Sequence, residues 1–283
     1  MAAWTPSADG ELVPLRHGAL LPRVGFGTWP MRSDEATRAV AEALEAGYRL
    51  VDTAENYDNE RAVGMGIRAG GVPRDQVFVT TKFNRRWHGD QLVRTALDRA
   101  VDRLGIDYLD LLMIHWPNPG YGRYVEAWRG MADLLREGKV RAIATSNFKP
   151  AHLARLREET GVLPDVNQIQ LNPALPRAAD REFADGLGIV TQSWAPLGGR
   201  DDSMRADPGL ARLARRYGKT PAQLILRWHL QLGLAVVVKA SDPRHMRDNL
   251  AVFDFELAAD DLATFNQLRR PDSAQIDSDI AGH

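Results

Sequence analysis

The sequence predicts an α/β fold: a closed (β/α)8 or TIM barrel with an N-terminal β-hairpin as plug and a C-terminal tail near the barrel mouth. Three observations carry this prediction. Eight short apolar runs, each stopped by polar residues, read as strands buried on both faces. Stretches of helical periodicity separate them. The runs also recur at the length of one βα unit, since Lys82 follows Asp52 by 30 residues and His115 follows Lys82 by 33. Eight strands in strict alternation with helices favour a closed barrel over an open sheet. No stretch is rich enough in Pro, Gly or Ser to act as a linker, so residues 1–283 are expected to form one domain.

Taken in order, residues 13–22 hold two apolar runs around a Gly-containing turn and predict the hairpin that plugs the barrel bottom. The first strand is expected at 24–28, where glycines let a ligand approach the backbone. The first helix has Ser33 as N-cap, Asp34 and Glu35 in its first turn, Ala36, Val40, Ala43 and Leu44 on one face, and Gly47 at its end. Asp90 is expected to cap a later helix, with Val93, Ala96, Leu97, Ala100, Val101 and Leu104 facing inward and Gly105 as its stop. Pro150, and Pro221 behind Thr220, sit where a first helical turn accepts proline. The other strands are expected at 50–52, 77–83, 109–115, 140–146, 167–171, 189–195 and 236–240. Gly64-Met65-Gly66 has no strand ahead of it and reads as close helix packing, not a phosphate loop. The tail 271–283 is polar, lacks an apolar face and is expected to be mobile in the absence of ligand.

Composition narrows the function classes. With 44% hydrophobic and 26% charged residues over 283, the chain is an ordinary soluble globular sequence with a large core. A net charge of −1 argues against nucleic acid or an anionic membrane as main partner. The first ten residues lack a signal pattern, and no apolar run approaches the roughly 18 residues of a membrane span. With no cysteine, disulfides, thiol nucleophiles and Cys-based zinc or iron–sulfur sites are excluded, and the histidines show no zinc spacing. The expectation is a cytoplasmic, monomeric enzyme without metal that acts on a small molecule.

If the runs are neighbouring strands, Asp52, Lys82 and His115 stand at three successive carboxyl ends, with Tyr57 in the loop after the first. Carboxyl ends are where parallel barrels do their chemistry. Taken singly, each residue has a structural reading: Asp52 as a cap or ion-pair partner, Lys82 as a rim charge, His115 as a hydrogen-bonded core residue, Tyr57 as a packing aromatic. Together they form a set.

At these residues the chain resembles the aldo-keto reductase superfamily, closest to the bacterial reductases similar to 2,5-diketo-D-gluconate reductase. The resemblance extends through Gly25-Phe26-Gly27-Thr28-Trp29, Ala144-Thr145-Ser146-Asn147-Phe148, Val166-Asn167-Gln168-Ile169-Gln170-Leu171-Asn172-Pro173 and Ser193-Trp194-Ala195-Pro196-Leu197-Gly198, and on to Asn249-Leu250. It implies NAD(P)H-dependent reduction of aldehyde or ketone carbonyls by Asp52, Tyr57, Lys82 and His115. A phenol of pKa about 10 is a poor acid at neutral pH. An ammonium at Lys82 would lower it, Asp52 would hold Lys82 in place, and His115 would orient the substrate oxygen.

The resemblance also implies the cofactor residues. Ser146, Asn147 and Gln168 would bind the nicotinamide carboxamide and Trp194 would stack on the ring. Gly27 and Thr28 lie on the cofactor side of the first strand end. Ala195 and Leu197 belong to the loop around the pyrophosphate, and Ala195 stands where many relatives carry serine. Lys239, Ala240, Ser241, Arg244, His245, Asp248 and Asn249 correspond to the 2′-phosphate and adenosine end. There Ala240 replaces a hydroxyl residue and His245 an arginine, so the expectation is NADP(H) with NAD(H) also used. Trp29, Trp87 and Trp116, with Tyr57, would line an aromatic mouth. Two alternatives are kept: a cofactor-binding redox sensor with slow turnover, and a Schiff-base aldolase with Lys82 as nucleophile.

Overall fold

Inward and outward side chains alternate along every barrel strand, and that alternation decides where the core and the site lie. The computed structural model describes residues 10–199, 202–270 and 275–283. A hairpin, β1 (Leu12–Pro14) and β2 (Leu20–Pro22), precedes the barrel strand β3 (Val24–Gly27). Then come α1 (Ser33–Ala46), β4 (Leu50–Asp52), α2 (Glu60–Ala69), β5 (Phe78–Phe83), α3 (Asp90–Leu104), β6 (Leu109–Ile114) and α4 (Tyr124–Arg136). They are followed by β7 (Val140–Ser146), α5 (Pro150–Thr160), β8 (Val166–Gln170), α6 (Ala178–Gly186), β9 (Val190–Trp194), α7 (Pro208–Tyr217) and α8 (Pro221–Gln231). The last elements are β10 (Ala235–Val238), α9 (Pro243–Leu250) and α10 (Ala259–Thr264). Strands β3 to β10 are parallel neighbours in sequence order, and β10 pairs with both β9 and β3, which closes the barrel.

Inside the barrel, Leu50, Phe78, Leu111, Met113, Val166 and Val237 meet Leu15, Ala19 and Leu21 of the hairpin region, which therefore plugs the amino-terminal end as expected. The opposite parity, Val51, Val79, Leu112, Ile114, Val236 and Val238, packs against the helices. Where the interior narrows, a glycine gives way to a large neighbour: a Cβ on Gly25 would lie 2.5 Å from Leu50 Cδ2. Gly64 and Gly66 do lie within α2, and close approach explains them. A Cβ on Gly64 would fall 1.7 Å from the Leu104 carbonyl oxygen of α3.

Two helix starts differ from expectation. Ser33 is the first residue of α1, with a left-handed φ of 45°, and the N-cap is Arg32. Asp90 is likewise the first residue of α3, behind Gly89 as N-cap, and neither helix has a side-chain cap hydrogen bond. In both, the polar residue lies one position too far along to reach back to the free N–H groups as a cap does. Thr220 does cap α8, where Gln223 N donates to its Oγ1 at 3.2 Å. Among the described residues no helix is long and apolar enough to cross a membrane.

Candidate active site

The inward parity that buries Leu50, Phe78 and Met113 continues up each strand to Asp52, Lys82 and His115. Register brings them together: Asp52 pairs with Thr80, and Lys82 with Met113. All three are buried, so the protein has carried an ion pair into the barrel. Lys82 Nζ donates to Asp52 Oδ1 at 2.5 Å, to the Thr53 carbonyl at 3.0 Å and to Tyr57 Oη at 3.5 Å. These three bonds use the whole donor capacity of an ammonium. The other oxygen of Asp52 accepts from Gln168 Nε2 at 2.9 Å, and Thr28 Oγ1 donates to the Asp52 carbonyl at 3.0 Å.

Tyr57 ends a 3-10 turn, Glu55–Tyr57, that follows β4. Its ring meets that of His115 edge-on at 5.8 Å. Burial raises the Tyr57 phenol above its usual pKa, and the Lys82 charge works in the opposite direction. Burial likewise disfavours the Lys82 ammonium, yet Asp52 and Tyr57 outweigh it and the lysine pKa is raised. The His115 imidazole is driven well below its usual range by burial and, secondarily, by the charges of Lys82 and His283, so it is neutral at neutral pH. Its Nδ1 is buried and, among the described residues, has no partner.

The same parity on β7, β8 and β9 gives Ser146, Gln168 and Trp194. Asn147, in the left-handed region at φ 64°, links them: its Oδ1 accepts from Trp194 Nε1 at 2.9 Å, and its Nδ2 donates to Ser146 Oγ and to the His115 carbonyl, each at 3.1 Å. Gln168 also donates to Gln192 Oε1 at 2.8 Å, which occupies the rest of its amide N–H capacity. A flat aromatic beside amide and hydroxyl groups is a donor and acceptor set that suits an aromatic carboxamide.

After β9 the chain curls through left-handed Ala195, Gly198 and Gly199, with Leu197 packed against the core. Beyond β10, exposed Lys239 donates to Ser241 Oγ at 2.9 Å, while Ala240 is buried. Asp242 caps α9 and holds Arg244 through contacts of 2.7 and 3.2 Å. His245 is exposed on the same first turn, Asp248 is half-buried one turn later, and Asn249 is buried beside the Tyr48 hydroxyl. Gly27 lies opposite Asp52 in register.

The aromatic residues divide. Trp116 is buried, stacked at 6.3 Å on His115, with its Nε1 unpartnered among the described residues. Trp29 is 54% exposed at the end of β3. Trp87 is held by the loop and α3, with its indole N–H on Glu55 and with Arg86 and Arg99 over its ring.

The tail's contacts and one further group escaped the sequence reading. Residues 275–283 lie near the mouth, as expected, whereas Pro271, Asp272, Ser273 and Ala274 fall outside the described residues. Lys149 bonds Asp277 and Asp279 at 2.5 and 2.6 Å, Arg85 N donates to the His283 carbonyl at 3.1 Å, and the His283 ring stands 4.9 Å from that of His115. The second group is Glu55, two residues ahead of Tyr57. Its position in that loop was the one available signal.

A sequence profile described as the Aldo/keto reductase family matches residues 23–270. The chain belongs to that family. It is an NAD(P)H-dependent oxidoreductase of the aldo-keto reductase type. Among its relatives, 2,5-diketo-D-gluconic acid reductase B of Corynebacterium sp. (strain SHS752001) is 44% identical over 258 residues, which is 91% of this chain and 93% of the relative. Methylglyoxal reductase DkgA of Salmonella typhimurium is 40% identical over 262 residues, covering 92% and 94%. The crystal structure of a mutant of Gox0644 in complex with NADPH superposes with a TM-score of 0.90 at 38% identity, over 96% of this chain and 98% of that one.

Proposed function

We propose that this reductase converts aldehyde or ketone carbonyls of small molecules to alcohols, with Tyr57 as proton donor. The observation that carries the reading is the buried Lys82 ammonium, fixed between Asp52 and the Tyr57 hydroxyl. As the substrate oxygen gains negative charge, the Tyr57 O–H donates its proton to it. The Lys82 charge stabilises the phenolate left behind, in a site where few other groups compete. Asp52, itself held by Gln168 at its carboxylate and by Thr28 at its carbonyl, keeps Lys82 charged and aimed. Neutral His115 positions the substrate oxygen as a hydrogen-bond donor.

Bound NADP(H) supplies the hydride. Ser146, Asn147 and Gln168 would hold its carboxamide, Trp194 its ring, and the 195–197 loop with Gly27 and Thr28 its pyrophosphate side. Lys239, Ser241, Arg244 and His245 would meet its 2′-phosphate end, with Asp248 and Asn249 beside them. Use of NAD(H) as well is supported by the same stretch: Arg244 is engaged by Asp242, and an imidazole stands at His245 in place of a fixed guanidinium fork.

For the substrate, the relatives' names denote carbonyl compounds, and Trp29, Trp116 and Tyr57 would line the opening, with Trp87 held against Glu55 in the adjoining loop. A Schiff-base role for Lys82 finds less support, because a nucleophilic amine must be neutral and this one is charged with all three N–H groups engaged. NADPH oxidation followed by absorbance against a panel of aldehydes tests the reading. Rapid turnover is expected. Tight NADPH binding without turnover would indicate a sensor, and a borohydride-trapped adduct at Lys82 an aldolase.

A further inference from the structure

Lys82 and Tyr57 meet at 3.5 Å, the outer limit of a hydrogen bond, so a small relative movement of the loops that carry them breaks the contact. Tyr57 hangs from the loop after β4 and Lys82 from the end of β5. Between these two, outside the barrel interior, lies a carboxylate whose side chain is only 7% exposed, that of Glu55. Both its oxygens accept from Trp87 Nε1, at 2.9 and 3.0 Å, and Oε2 also accepts from Asn84 N at 3.3 Å. Arg86 closes on Oε1, and Arg103 of α3 approaches it at 3.9 Å. Arg103 in turn bonds Glu60 at 2.5 Å, and Glu60 accepts from Thr81 Oγ1, next to Lys82, at 2.7 Å. Every one of these bonds joins the β4 side to the β5 side, and none touches the reacting groups.

We infer that Glu55 is a positioning residue for carbonyl reduction, which ties the turn bearing Tyr57 to the loop after Lys82 and so fixes their separation. A buried carboxylate surrounded by donors has this geometry because any displacement leaves several of those donors unpaired. The inference rests on the proposed role of Tyr57. Tyr57 is faced by Asp52 from β4, Lys82 from β5 and His115 from β6, and among these Lys82 lowers its pKa. If the turn drifts from Lys82, the tyrosine holds its proton to higher pH.

The test compares Glu55→Ala and Glu55→Gln in the full chain by single-turnover reduction rate, pH profile and calorimetric NADPH affinity. Misplacement on the scale of 1 Å costs on the order of 10²-fold in rate. Glu55→Ala is therefore expected to lose about 10- to 100-fold in single-turnover rate, with NADPH affinity within about twofold of wild type, and with the high-pH limb moved upward. Glu55→Gln keeps one acceptor oxygen and falls between the two in both rate and limb; if the alanine variant does not fold, this variant alone decides. An unchanged rate in a folded variant overturns the inference, as does a loss of rate with the pH limb unmoved. Should Tyr57→Phe be fully active, the proton-donor reading itself fails; should Tyr57→Phe be inactive and Glu55→Ala normal, only the positioning role does.

Discussion

Gln168 on β8 donates its amide to the carboxylate of Asp52 on β4, 2.9 Å away across the barrel. One side chain thus touches both the ion pair beneath the reaction and the surface where the nicotinamide is proposed to lie. Gln168→Leu would leave Asp52 Oδ2 and Gln192 Oε1 buried and short of a donor. Unsatisfied buried groups cost about 1–3 kcal/mol each, more when charged. The expected outcome is a stability loss of at least that size in urea unfolding, together with weaker NADPH binding by calorimetry. Unchanged stability would show that Asp52 does not depend on this bond.

Strand-level structure was legible in the sequence because buried parallel strands are short apolar runs with sharp polar ends. Val140–Ser146 and Leu50–Asp52 match the expected bounds, and the other barrel strands differ only by a residue or two at their ends. The spacing of those runs also put Asp52, Lys82 and His115 at three successive carboxyl ends. What could not be read depends on contacts between residues far apart in the chain. Glu55 meets Trp87 32 residues away, and Lys149 meets Asp277 128 residues away. Nor does a local pattern say which way a loop tryptophan turns, and Trp87 turns toward Glu55 and α3. The caps of α1 and α3 were misplaced by one residue, since the point at which a chain leaves the barrel sets the helix register, not the nearest Ser or Asp.

The cofactor end makes a separate prediction. A hydrogen bond to a charged group is worth roughly 1.5–3 kcal/mol, and each 1.4 kcal/mol is about tenfold. His245→Arg is expected to raise the NADPH to NADH ratio of kcat/KM by about tenfold or more. No change in the ratio would mean that His245 does not meet the 2′-phosphate.

Two buried histidines set an acid limit on stability. Burial pushes both His88 and His229 down to about 4. An unfolded histidine titrates near about 6.5, so below that pH the unfolded chain takes up protons that the folded protein refuses. Their contribution is therefore complete above about 6.5 and is lost as pH falls from there toward about 4. Each group adds a slope of roughly 1.4 kcal/mol per pH unit within that window. Among the described residues His88 has no partner on either ring nitrogen, and it packs edge-on against Phe83, so His88→Phe sacrifices no hydrogen bond seen there. That variant should show a flatter fall of the urea midpoint between about pH 6.5 and 4. An identical slope would remove His88 from the explanation.

The segment over the mouth is seated by Gly282. At φ 139°, a Cβ there would lie 2.5 Å from Asn118 Nδ2 and 2.8 Å from Trp116 Cβ. Gly282→Val is therefore expected to unseat His283 from His115 and to change KM for the carbonyl substrate several-fold. The loss of stability should stay near the roughly 0–1 kcal/mol of an exposed ion pair, since Lys149, Asp277 and Asp279 are held at the surface. An unchanged KM, or a collapse of the thermal midpoint, would contradict this placement.

Proton donation by Tyr57 is tested most directly by Tyr57→Phe, which keeps the ring against His115 and removes only the hydroxyl beside Lys82. The measurement is the single-turnover rate of NADPH oxidation by a small aldehyde, paired with the calorimetric affinity for NADPH. The rate is predicted to fall by about 10²–10⁴, the usual worth of a positioned general acid, while the affinity stays within about twofold of wild type. A Tyr57→Phe variant that turns over at the wild-type rate would contradict the assignment of the proton donor.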